Sequence, residues 1–147
     1  MSKVKTVILK AARTEAQKNK MRDILKKGIC PFCPKYLEKY HDHPIEKQGK
    51  FWVITKNDYP YEGSKYHYLF ISKKHIEHIE ELEPKAFAEL ASLAKWLSKK
   101  HNLLGGSFFM RFGNPKYSSA SVTHLHAHLI VGKKKSKEIL NVPLGYK

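Results

Sequence analysis

A chain of 147 residues is long enough for one compact domain with a hydrophobic core and short for two. Hydrophobic residues at 41% and charged residues at 28% exclude the disordered and fibrous classes. No run reaches the roughly 20 apolar residues of a membrane helix, and no signal-peptide core is present, so a cytoplasmic protein is expected. Lys and Arg total 28 against 13 for Asp and Glu, a formal net charge of +15 that concentrates phosphates, nucleotides or nucleic acid. Arg13, Arg22 and Arg111 are the only arginines, and lysine alone is weak ground for bidentate phosphate recognition.

Residues 1–28 read as a basic helical extension. Within Glu15 to Lys27, Met21, Ile24 and Leu25 form a narrow apolar stripe, and Gly28 is a natural stop. Cys30 and Cys33 follow in Ile29-Cys30-Pro31-Phe32-Cys33-Pro34, a spacing that belongs to a redox pair or to half of a metal site. Lys35 to Lys50 reads as a polar segment in which His41 and His43 are solvated. Phe51 to Thr55 and Tyr66 to Ile71 are aromatic and β-branched, and the Asn57 to Gly63 turn chemistry between them predicts an antiparallel hairpin. From Glu83 to Lys100, Phe87, Leu90, Leu93, Ala94 and Leu97 repeat at helical spacing behind Pro84. Two further strands are predicted over 107–112 and 122–131, with Lys133 to Lys135 as a solvated strand end. Trp52 and the 107–112 aromatics are assigned to the sheet core. The pattern predicts an α+β domain built on an antiparallel sheet.

The sharpest motif is Thr123-His124-Leu125-His126-Ala127-His128-Leu129-Ile130. Alternate strand residues share a face, so His124, His126 and His128 stand together, about 6–7 Å apart, opposite Leu125, Ala127 and Leu129. Imidazoles need donors and acceptors and are poor core filler. A single ion cannot reach the first and third rings with bonds near 2 Å, which invites a division of labour. One His acts as nucleophile or acid–base group, and another joins Cys30 and Cys33 on zinc. His41, His43, His67, His75, His78 and His124 are the possible ligands; a redox role for the cysteines lacks the preceding strand.

This run resembles the signature of the histidine triad (HIT) superfamily of nucleotidyl hydrolases and transferases. The resemblance extends upstream, to His67 and His75 eight residues apart, to Asn57-Asp58-Tyr59-Pro60-Tyr61, and to Cys30 and Cys33 of the zinc-bearing branches. It covers about residues 29–132 and implies a HIT-like domain over 29–147, with a five-stranded antiparallel sheet and a long helix between strands. By resemblance His126 is the nucleophile, attacking an α-phosphorus to form a nucleotidyl-histidine, while His128 and His67 line the phosphate pocket. Cys30, Cys33, His75 and His124 are the implied ligands of a structural Zn²⁺, with His41 as an alternative to His75. Asn57, Ser121 and Asn114 are the implied substrate-binding residues. Ala120 stands where hydrolase branches carry Gln, and the 57–67 loop is about two residues longer than theirs. The implied substrate is a dinucleoside polyphosphate, a phosphoramidate or an adenylyl sulfate, and the implied assembly a homodimer. The rival reading is a basic, zinc-stabilised nucleic-acid-binding module without catalysis, expected to bind with steep salt dependence.

Overall fold

The computed structural model describes residues 6–135 and 137–145. Five strands, β1 (Ile45–Gln48), β2 (Trp52–Lys56), β3 (Ser64–Ser72), β4 (Ser107–Arg111) and β5 (His126–Gly132), form one sheet in the order β1-β2-β3-β5-β4. Every pairing is antiparallel. Alternation along the strands sends Trp52, Ile54, Tyr68, Phe70, Ala127 and Leu129 to one face, where α3 (Pro84–Lys100) covers them with Leu90, Leu93 and Leu97. The Trp52 indole donates to the Ala86 carbonyl at 2.8 Å, satisfying its one polar group inside that core. Glu89 of the same helix accepts the backbone N–H groups of Lys50, Phe51 and Trp52 at 2.6, 2.8 and 3.0 Å. A Cβ at Gly49 would stand 2.4 Å from the Glu89 carboxylate, so a side chain in this β1–β2 turn would displace that carboxylate from its three backbone donors. Among the described residues no helix is long and apolar enough to cross a membrane.

The opposite face carries Val53, Leu69 and Ile71 against Leu37 of α2 (Pro34–Tyr40), and beside them the imidazoles of His67, His126 and His128. Helix α1 (Glu15–Lys27) starts where Thr14 accepts the Gln17 N–H and ends at Gly28, whose φ of 65° is the left-handed stop. Its Met21 and Ile24 pack with Val7 and Val122.

Three local expectations need correction. Residues 6–13 are not helical throughout: Val7 bridges Val122, Ile8 N–H donates to Ser121 at 2.8 Å, and a single 3₁₀ turn follows at Leu9–Ala11. Lys35 to Lys50 is not one polar segment, because it contains α2 and the edge strand β1. One buried anchor, Leu37, is too short a pattern to announce a helix, and β1 is nearly all solvated. The last strand begins at His126 rather than Val122, because residues 121–125 spend their backbone bonds elsewhere. Thr123 N–H donates to Thr6 and Leu125 N–H to Ile76.

Leu97 is fully buried under the sheet whereas Leu104 is fully exposed. Leu97→Ala should therefore cost about 2–5 kcal/mol in urea denaturation, and Leu104→Ala no more than about 0.5 kcal/mol.

Candidate functional site

The row of three imidazoles divides at His124. That ring, fully buried, donates from Nε2 to the Ser72 carbonyl at 2.6 Å, which leaves the Nδ1 lone pair facing the cysteines. Nδ1 lies 3.4 Å from Cys30 Sγ, 3.7 Å from Cys33 Sγ and 3.1 Å from His75 Nδ1, while Cys33 Sγ is 3.2 Å from His75 Nδ1. All four donor atoms fall within 4.8 Å of one another. Tetrahedral zinc, with bonds of about 2.3 Å to sulfur and 2.0–2.1 Å to nitrogen, needs ligand atoms roughly 3–4 Å apart, so these residues fit it. Burial pushes the Cys30 thiol up to about 12, a protonation that a bound dication would reverse. His75 Nε2 approaches Glu77 at 3.8 Å, and the same carboxylate oxygen accepts the Thr123 hydroxyl at 2.6 Å. His41 is not in this group; it lies with His43 and Asp58.

The other two imidazoles have their protons placed by backbone. His126 Nδ1 donates to the His124 carbonyl at 2.7 Å, so its Nε2 carries the lone pair. The Tyr61 N–H donates to His67 Nδ1 at 3.1 Å, which puts the His67 proton on Nε2. That proton is donated to His128 Nδ1 at 2.8 Å, and the His128 proton is thereby fixed on Nε2. His128 Nε2 is buried and has no partner among the described residues. The result is a free base on His126 beside a free donor on His128, their ring centroids 4.9 Å apart. Burial lowers His67 to about 3 and His126 to about 4, and takes His128 well below its ordinary value. The nearby Arg111 guanidinium lowers all three further, and Arg13 adds to the effect on His67 and His128.

His126 and His128 open onto a cavity of about 270 Å³. Asn57 and Ser121 line it as expected, and Asn57 Nδ2 sits 3.1 Å from His67 Nε2. Asn114 does not line it. It is exposed and serves as the cap of the short helix α4 (Pro115–Ser118), its side chain accepting the Lys116 N–H at 3.0 Å.

Sequence reasoning missed the two arginines of the wall. β4 pairs with β5 so that Phe109 is opposite His128 and Arg111 opposite His126, on the same face. Phe109 stacks on His128 with centroids 4.7 Å apart, and Arg111 donates to the Tyr61 hydroxyl at 2.6 Å. Arg13 comes from the amino-terminal segment, stands 4.1 Å over the Tyr61 ring and donates to the Tyr59 carbonyl. Lys10 and Lys20 also face the cavity, against one carboxylate, Asp58. Ser119 was missed too; the residue lines the cavity, and its buried hydroxyl has no partner among the described residues. The available signal was rarity: three arginines in a lysine-rich chain, two of them here.

A two-layer fold with this sheet order, carrying an imidazole row over a cation-walled pocket, is that of the histidine triad proteins. It is similar to a HIT family hydrolase from Clostridium thermocellum (22% identity, 76% of this chain and 96% of that one, TM-score 0.58). It is also similar to a hypothetical histidine triad nucleotide-binding protein from Sulfolobus tokodaii (22%, 80% and 81%, 0.59). A third likeness is to a zinc-bound histidine triad family protein from Mycobacterium smegmatis (18%, 78% and 83%, 0.58). No curated protein matches the chain. Residues 30–141 match the family described as scavenger mRNA decapping enzyme C-term binding, and the chain belongs to this HIT-like family.

Because His67 and His128 are held neutral in the fold, neither ring should titrate near the unperturbed value of about 6.5. In the unfolded chain both take up protons there. Stability should accordingly fall as the pH drops from about 6.5 towards 4. Ring-nitrogen NMR and denaturation at each pH check the two halves of this expectation.

Proposed function

We propose that the protein is a nucleotidyl hydrolase or transferase that acts at the α-phosphate of a nucleotide through His126. The observation that carries the reading is the 2.7 Å bond from His126 Nδ1 to the His124 carbonyl, which leaves Nε2 as an oriented, uncharged nucleophile. Nε2 attacks the α-phosphorus, a nitrogen–phosphorus bond forms, and the bond to the leaving group breaks with its electron pair on that group. Water or another acceptor then attacks the nucleotidyl-histidine and releases the nucleotide. The His128 Nε2–H, without a partner among the described residues, donates to the non-bridging oxygens as negative charge develops on them.

The wall of Arg13, Arg111, Lys10 and Lys20 favours a leaving group that is itself anionic. A departing phosphate chain needs no proton, and Ala120, which stands by resemblance where hydrolase branches carry a hydrogen-bonding Gln, offers the leaving group no side-chain donor. A dinucleoside polyphosphate suits this better than a phosphoramidate. The nucleic-acid-binding alternative is disfavoured because Trp52 is fully buried and the imidazole row sits in a cavity rather than on an open face.

Cys30, Cys33, His75 and His124 are proposed to hold a structural zinc, which when bound supplies a crosslink between the Cys30–Cys33 turn and the sheet. The paired free thiols suit a reducing compartment such as the cytoplasm. A homodimer goes with this reading, since β4 is an edge strand and Phe87 and Phe108 are 41% and 44% exposed.

Scored on a panel of nucleotide substrates, wild type should release nucleoside monophosphate and form an acid-labile protein–nucleotide adduct. His126→Ala should lose the adduct and fall on the order of 10⁴-fold in rate while remaining folded. Full retention of hydrolysis would remove His126 as the nucleophile. Cys33→Ser should lose one zinc equivalent by native mass spectrometry and melt earlier, by about 2–4 °C for each kcal/mol lost.

A further inference from the structure

Three ligand-type side chains outside the groups already described converge beside the pocket. His41 and His43 follow α2, and Asp58 lies in the loop after β2. His41 Nδ1 is 3.2 Å from Asp58 Oδ2, His43 Nδ1 is 2.6 Å from Oδ1, and the three donor atoms lie within 4.8 Å of one another. Asp58 also accepts the backbone N–H groups of Asp42 (2.9 Å) and His43 (3.2 Å), which accounts for the shape of that turn.

Those bonds do not account for His41. The Thr55 hydroxyl directs its hydrogen to the Pro44 carbonyl at 2.9 Å, so at its 2.7 Å contact with His41 Nε2 it accepts. The proton of a neutral His41 ring is then on Nε2, and the lone pair of Nδ1 faces a carboxylate oxygen. Both side chains are only 6% exposed. Two acceptors at that distance repel unless a cation lies between them.

We propose that His41, His43 and Asp58 bind a first-row transition-metal dication at a second metal position, separate from the Cys30–Cys33–His75–His124 group. Two imidazoles with one carboxylate select Zn²⁺, Co²⁺ or Ni²⁺ over Mg²⁺ and Ca²⁺. Bonds of about 2.0–2.2 Å set such ligand atoms roughly 3–3.5 Å apart, a spacing His41 and Asp58 already have. Thr55 is the outer partner that fixes the His41 tautomer. The exposed His43 ring exchanges its hydrogen bond to Oδ1 for coordination and carries its proton on Nε2. Three protein ligands leave coordination positions open, and His41 and Asp58 both line the pocket, within reach of a phosphate oxygen. Lys20, with Nζ 3.7 Å from Asp58 Oδ2, is a like charge that opposes the ion.

The test is equilibrium dialysis of the full chain against Zn²⁺, with the metal counted by mass spectrometry. His43→Ala, an exposed position, should retain the wild-type melting behaviour and hold one ion fewer than wild type. Lys20→Met should keep the ion and bind it severalfold more tightly. Equal ion counts in wild type and His43→Ala would overturn the proposal, as would failure of Lys20→Met to bind more tightly. So would nitrogen NMR at pH 7 showing the dialysed wild-type His41 ring protonated on both nitrogens, the signature of a simple ion pair.

Discussion

The backbone of His124 is where the two halves of the site are joined. Its ring faces the Cys30, Cys33 and His75 side chains, and its carbonyl accepts the Nδ1 proton of His126. Whatever fixes the ring of residue 124 therefore fixes the acceptor that sets the tautomer of residue 126. The Ser72 carbonyl holds the far side of the same ring, so the last residue of β3 takes part as well. A shift at this single residue would move the Cys30–Cys33–His75–His124 cluster, the orientation of the His126 ring and the entry into β5 together.

The remaining imidazoles are governed by desolvation. A solvated histidine with a pKa of about 6.5 is about one quarter protonated at pH 7, and a protonated His126 would have no lone pair to offer. Here burial and the surrounding cations act in the same direction, against the second proton. The arginines that make the cavity wall positive thus also keep its rings uncharged. A strongly positive wall and neutral imidazoles coexist here because hydrogen-bond partners set each ring's tautomer.

Legibility in the sequence followed the length of each pattern. The end of helix α1 was readable from its stripe and a left-handed glycine, though its start at Glu15 was not, and α3 was readable from five apolar positions in register. The hairpin of β2 and β3 declared itself through aromatic and β-branched residues around a turn, and the imidazole row through alternation. Helix α2 did not, since seven residues with one buried anchor carry no period. The late start of β5 was hidden because its cause is a pairing with residues 6–8, more than a hundred positions away. Arg13 and Arg111 were hidden for the same reason: each reaches the pocket through tertiary placement, one by cross-strand register and one by chain return. Asn114 lies outside the cavity lining and caps α4, a role that Asn before Pro serves as readily as a ligand's.

The bridge between Val7 and Val122 also sets an order of events. One side of the cavity comes from residues 10–13 and another from β5, more than a hundred positions later in the chain. The Val7 segment can be held against Val122 only once that long loop has closed, which costs conformational entropy before any contact offsets it. The complete cavity wall is therefore a non-local, late feature of folding.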